Sequence, residues 1–135
     1  MQEQLITFET AKLAKEKGFF QETNRLEIPY YNYKGEFKGD VSDWRIRKYI
    51  RGEDTSDIEF VSAPTQSLLA KWLREEHNII VLVDYEGIDG YYYKFYSYKE
   101  GNKNYDASGK NYNTYEDAYE IGLQEALKQI PNIWK

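Results

Sequence analysis

Between Ile79 and Lys99 the chain reads IIVLVDYEGIDGYYYKFYSYK. Two runs rich in β-branched and aromatic residues flank Gly-Ile-Asp-Gly, which predicts a β-hairpin. Successive side chains of a strand point to opposite faces, so the pattern also assigns the two faces of that hairpin. One face carries Ile79, Val81, Val83 and Tyr85 with Tyr91, Tyr93, Phe95 and Ser97. The other carries Ile80, Leu82, Asp84 and Glu86 with Tyr92, Lys94, Tyr96 and Tyr98. The first face, centred on Val81, Val83, Tyr93 and Phe95, demands a cover. The second is too apolar to be idly wet, yet Lys94 interrupts it and keeps its ammonium near water. Either the chain's own middle segment, residues 21–60, lies over that second face, or a partner does. Tyr92, Lys94, Tyr96 and Tyr98 are therefore the candidate partner-binding surface, with plain cross-strand stabilisation as the alternative.

Three amphipathic helices are available to cover the first face. In TFETAKLAKEKG, Thr7 is an N-cap and Glu9 sits in the positive first turn. Phe8, Ala11 and Ala14 share one side, Lys15 and Lys17 suit the C-terminal end, and Gly18 can take a left-handed cap before Phe19 and Phe20. In SAPTQSLLAKWLREEHN, Pro64 suits the first turn after Ser62 or Ala63. Leu68, Leu69, Trp72 and Leu73 form the stripe, Arg74 and His77 lie at the negative end, and Asn78 can close it. In NTYEDAYEIGLQEALKQI, Asn113 with Glu116, or Thr114 with Asp117, makes a capping box. There Tyr115, Ala118, Tyr119, Gly122, Leu123, Ala126, Leu127 and Ile130 recur at helical spacing until Pro131.

The remaining segments read less sharply. RLEIPYYNYKGEF suggests a short strand before Pro29, confined to an edge by that proline, and a hairpin about Lys34–Gly35. DWRIRKYIR alternates as a strand would, GEDTSDIE reads as an acidic loop, and GNKNYDASGKNYN reads as a polar loop of turn formers.

At 135 residues the chain fits a single domain, 1–135, large enough to bury a core. It has no cysteine, hence no disulfide framework or thiolate metal site, which suits a cytoplasmic protein. No run of 18 apolar residues is present, which predicts no membrane span, and the N-terminal stretch does not read as a signal peptide. Eighteen basic against 23 acidic residues give a net charge of −5, which disfavours non-specific attraction to phosphate. A local basic run remains in WRIRKYIR, where Arg45, Arg47, Lys48 and Arg51 are interleaved with Trp44 and Tyr49. Cations beside stacking rings are how single strands are held, so these four are the candidate nucleic-acid contacts. The competing reading is a half-buried strand with a charged outer face.

Catalytic chemistry finds little support. His77 is the only histidine, and its position fits a helix-end residue facing the last carbonyls. No GxSxG, HExxH or GxGxxG is present. Glu53, Asp54, Asp57 and Glu59 lack the glycine and spacing of a calcium loop, and GNKNYDASGK departs from the P-loop in both its first glycine and its last residue. Neither a catalytic residue, a cofactor nor a metal is expected.

FETAKLAKEKGF, APTQSLLAKWLREEHNI and NTYEDAYEIGLQEALKQI together resemble a family of small uncharacterised proteins of Bacteroides-type bacteria and the phages and prophages they carry. The resemblance covers the first helix and residues 63–130. It implies a bacterial or phage origin and carries over no functional residues. The expected fold is α+β, a small, mainly antiparallel sheet with about three helices on one face. The expected function is non-enzymatic: a binding protein with a protein partner, an accessory factor of a phage or prophage. The alternative is a nucleic-acid-associated accessory protein using 44–51 and the tyrosine-rich strand 91–98.

Overall fold

The computed structural model describes residues 4–19, 30–32, 34–38, 61–99 and 102–131. In chain order the described elements are α1 (Phe8–Glu16), β1 (Tyr30–Tyr31), β2 (Phe37–Lys38), β3 (Val61–Ser62), α2 (Gln66–His77), β4 (Ile79–Tyr85), a short 3₁₀ turn (Gly87–Asp89), β5 (Tyr91–Lys99), β6 (Asn102–Ala107) and α3 (Tyr115–Leu127). The chain is α+β. It falls into two compact units, one of Thr65–Pro131 with Met1–Gln4, the other of Leu5–Pro64 with Asn132–Lys135. The basic run at 44–51, the acidic loop and the segment before Pro29 lie outside the described residues.

In the larger unit, α2 begins two or three residues later than expected. Thr65, not Ser62 or Ala63, is the N-cap: its Oγ1 accepts a hydrogen bond from the Leu68 N–H at 3.2 Å, and Pro64 stands just outside the helix. The helix ends where Asn78 turns left-handed at φ 56° and its N–H bonds back to the Leu73 carbonyl. Asparagine tolerates that conformation better than other side chains with a Cβ, so the predicted cap holds for a local reason. The buried face is Gln66, Leu69, Ala70 and Leu73. Leu68 is exposed and Trp72 only half-buried, so the helix is rotated from the stripe expected of Leu68, Leu69, Trp72 and Leu73.

The sheet is antiparallel in the order β4-β5-β6. Val81 pairs with Phe95 and Val83 with Tyr93 across the hairpin, as the alternation requires. Its turn closes through Gly87 and Gly90, both at positive φ. Gly90 has a second reason to be glycine. Tyr91 and Tyr112 exchange backbone hydrogen bonds at 2.8 and 2.6 Å, and a Cβ on Gly90 would run into the Tyr112 carbonyl. β6 is the main departure from expectation, because Asn102–Ala107 lies inside what reads as a polar loop. Asn, Lys and Asp are poor strand formers in isolation, but β5 offers them an open backbone edge, and edge strands favour polar and charged side chains. Lys94 pairs with Ala107, Tyr96 with Tyr105 and Tyr98 with Lys103.

α2 and α3 both pack on the face of Ile79, Val81, Tyr93 and Phe95, all of them buried. Opposite them stand Leu69, Leu73, Leu123 and Leu127, each fully buried and contributing about 1.5–3 kcal/mol over exposure. Gly122 sets the spacing: a Cβ there would lie 2.8 Å from Tyr93 Cβ and 3.2 Å from Val81 Cγ1. Thr114 caps α3, its Oγ1 accepting from the Asp117 N–H at 3.0 Å. Between the two helices the Gln66 amide donates to Glu120 Oε1 and to the Glu116 carbonyl, both at 3.0 Å, so a buried carboxylate and a buried amide are joined rather than orphaned.

In the smaller unit, Thr7 caps α1 and Gly18 takes a positive φ of 99°, as expected. Thr10, Ala11, Ala14 and Lys15 are buried. The hairpin about Lys34–Gly35 is present, held by Asn32, whose Oδ1 accepts from the N–H groups of Lys34 and Glu36, each at 3.0 Å. β1 is the middle strand of β2-β1-β3, and the edge strand expected before Pro29 lies outside the described residues. β1 starts at Tyr30, so the missing N–H of Pro29 is not asked of the ladder. The Tyr31 hydroxyl donates to the Ile6 carbonyl at 2.7 Å, fastening this small sheet to the chain entering α1.

Candidate functional site

The same three strands that bury one face leave the other open, and their register lays it out in rows. Asp84 and Tyr92 form the first row, and Leu82, Lys94 and Ala107 the second. Ile80, Tyr96 and Tyr105 form the third, and Tyr98 and Lys103 the last. Four of these residues keep large apolar surface in water: Ile80 is 44% exposed, Leu82 42%, Tyr98 56% and Tyr105 58%. Scattered exposed hydrophobes are ordinary, whereas these four are contiguous across the strands, which makes the face a candidate interaction surface.

The polar groups of this face are ordered by one carboxylate. Asp84 Oδ2 accepts from Lys94 Nζ at 3.3 Å and from the Tyr92 hydroxyl at 3.2 Å, while Oδ1 accepts from the Tyr85 N–H at 2.9 Å. The Tyr85 N–H, then the Lys94 ammonium, hold the Asp84 carboxyl below its ordinary value. Its hydrogen bond to Asp84 raises Lys94 in return. Partial burial, and then Asp84, raise Tyr92. The aromatic groups are ordered as well. The Tyr96 and Tyr105 rings lie 5.1 Å apart at 45°, and Lys103 Nζ sits 4.8 Å from the centre of the Tyr96 ring. Such cation–ring contacts at exposed sites stabilise by about 0.5–1 kcal/mol.

Tyr92, Lys94, Tyr96 and Tyr98 are thus brought together on one surface. Tyr105 and Lys103 belong to it too, and the sequence reading missed both because it treated 101–113 as a loop. The available signal was the alternation of Lys103, Tyr105 and Ala107 with Asn102, Asn104 and Asp106. Arg45, Arg47, Lys48 and Arg51 lie outside the described residues. So does the greater part of 21–60, and with it the expectation that this segment covers the tyrosine face.

No protein-family model, no curated protein and no solved structure matches the chain.

Elsewhere, His77 sits in the last turn of α2 as expected, its ring edge-on to Trp72 with centroids 4.7 Å apart. Burial lowers its pKa, partly opposed by Glu76. No described helix is long and apolar enough to cross a membrane. Among the described residues no group of three or more His, Asp or Glu is placed to hold a metal ion.

Proposed function

We propose that this chain is a binding protein that acts by contact rather than by catalysis, and that the open face of β4–β6 is where it meets a protein partner. The observation that carries the reading is the exposed cross-strand set of Ile80, Leu82, Tyr98 and Tyr105, with its polar groups tied to one another rather than reaching outward for a small ligand. Tyrosine-rich surfaces with few free charges are characteristic of protein contacts. The resemblance read from the sequence of the first helix and residues 63–130, to small proteins of Bacteroides-type bacteria and their phages, supports an accessory factor in the cytoplasm of such a cell. The test is replacement of Tyr92, Tyr96 and Tyr98 together by serine. Binding to the partner recovered with the wild-type chain falls about tenfold or more while the far-ultraviolet spectrum is kept. Unchanged binding refutes the assignment.

A second reading has one observation in its favour. The Tyr96–Tyr105 pair with Lys103 over the ring resembles the ring-and-cation platforms that hold single strands. Asp84 on the same face and the net charge of −5 oppose it. A salt-dependent mobility shift with short single-stranded DNA or RNA decides between the two.

A further inference from the structure

We infer that the open face of β4–β6 is self-complementary, and that a second copy of this chain packs on it about a two-fold axis with Asp84 of each copy against Lys103 of the other. The inference rests on the reading of this face as a protein contact and names the partner.

The charges argue for it. Asp84 lies in the first row of the face on β4, and Lys103 in the last row on β6. Tyr92 and Tyr98, which mark those rows on β5, are six residues apart, about 20 Å along a strand. The two charged corners are therefore diagonal to one another, with Leu82, Ile80, Tyr96 and Tyr105 between them. A polyanion, or any partner of uniform sign, gains at one corner and loses at the other. The same face turned by 180° gains at both, which is the condition an isologous interface imposes. Both corner groups have capacity to spare. The Asp84 side chain is 52% exposed despite its internal bonds, and a carboxylate accepts at up to about four positions. The Lys103 ammonium has three donors and, among the described residues, a ring beneath it as its contact.

Net charge and area agree. Two copies of a −5 chain repel in general, so self-association belongs where the surface is not itself acidic, and on this face Lys94 and Lys103 stand against the single carboxylate of Asp84. The exposed portions of two tyrosines, an isoleucine and a leucine offer several hundred Å² of apolar surface, and the half-buried Tyr92 and Tyr96 add to it. This approaches the roughly 800 Å² per partner of a standard interface once the polar rim is included.

The decisive experiment is sedimentation equilibrium on the wild-type chain, on Lys103→Glu, on Asp84→Lys, and on a mixture of the two variants. The wild type is expected to have the mass of two chains in the micromolar range. Each variant alone places like charges at both corners and weakens self-association by about tenfold or more. The mixture restores both contacts, because the Asp84 kept by one chain meets the Lys103 kept by the other and the two introduced charges are opposite, so dimer reappears on mixing. Both side chains are exposed, and Tyr105→Ser, which removes apolar area alone, is the second route to the same loss. A wild type that stays a single chain at millimolar concentration overturns the inference, as does a dimer indifferent to all three substitutions. A single-chain wild type whose serine triple variant still loses a captured partner sinks the second copy alone and leaves the face as a protein contact. A single-chain wild type whose triple variant keeps its partner sinks both.

Discussion

The two faces of the β4–β5–β6 sheet come from the same strands and nearly the same residue types, yet one is a core and the other a surface. Val81 and Phe95 are buried where the neighbouring Leu82 and Tyr96 are exposed or half-buried. Hydrophobicity along the strand, broken by Asp84 and Lys94 on the open face, points to this difference but does not make it alone. It is completed by α2 and α3, which have one shared apolar side and can satisfy only one face of the sheet. The covered face accordingly has tight, unforgiving geometry, with Gly122 against Tyr93. The open face is held by exposed cross-strand pairs, each worth at most about 1 kcal/mol, and by one solvent-exposed carboxylate.

The contrast breaks most visibly at α3. Leu123→Asp puts a charge into the covered core and is expected to cost at least ~3 kcal/mol, enough to unfold a domain of ordinary stability, whereas Glu125→Gln changes little. Thermal denaturation followed by circular dichroism reads both, and a Leu123→Asp variant that melts like the wild type means the wrong helix face was assigned.

Adjacent residues on β5 give the sharpest comparison. Phe95→Thr is expected to cost about 3 kcal/mol or more, and Tyr96→Thr less than about 1 kcal/mol, both replacements being good strand formers. If chemical denaturation ranks the two in the opposite order, the faces are exchanged and the tyrosine face is the core.

Gly122→Ala sets two effects against each other. Helix propensity favours alanine by about 1 kcal/mol, and overpacking against Tyr93 Cβ opposes it by about 1–3 kcal/mol. The expected result is a lower melting temperature. A stabilised variant would mean that α3 can lift from the sheet without loss.

The smallest effects are electrostatic and differ in sign of pH between the faces. On the covered face, burial pushes Tyr93 up from 10.0 to about 12. The unfolded chain then releases its proton first, so the stability linked to Tyr93 is complete below pH 10 and falls as pH rises toward 12. On the open face Asp84 is lowered from 3.8, so its contribution is present above that value and is lost as pH falls below it. Carboxyl NMR titration should place Asp84 below the ordinary range and return it upward in Lys94→Met. A midpoint unmoved by that substitution would show that Lys94 does not act on it.

Locally encoded features were legible because the residues that make them are neighbours in sequence. The Thr7 and Thr114 caps, the left-handed Asn78, the turn about Gly35 and the period-two assignment of β4 and β5 each depend on side chains within a few positions of one another. The opposition of Val81 and Phe95 and the sharing of one surface by Tyr92, Tyr96 and Tyr98 followed from the same period.

Non-local features were not legible. NKNYDA becomes β6 only because β5 presents it with unfilled hydrogen bonds, a favour that no propensity scale records, and so Tyr105 and Lys103 joined the candidate site from outside the sequence reading. The rotation of α2 that exposes Leu68 and buries Ala70 was equally hidden. An apolar stripe fixes a helix face only to within about a residue, and what chooses among the remaining orientations is the shape of the sheet and of α3 against which Leu69 and Leu73 must close-pack. Strand period and helix caps were determined by the sequence alone, since their physics acts over one to four residues. Which face became core could be read from the unbroken apolar row of Ile79, Val81 and Val83, but which helices cover it, and in what rotation, was decided only in three dimensions, because that depends on close packing between segments distant in sequence.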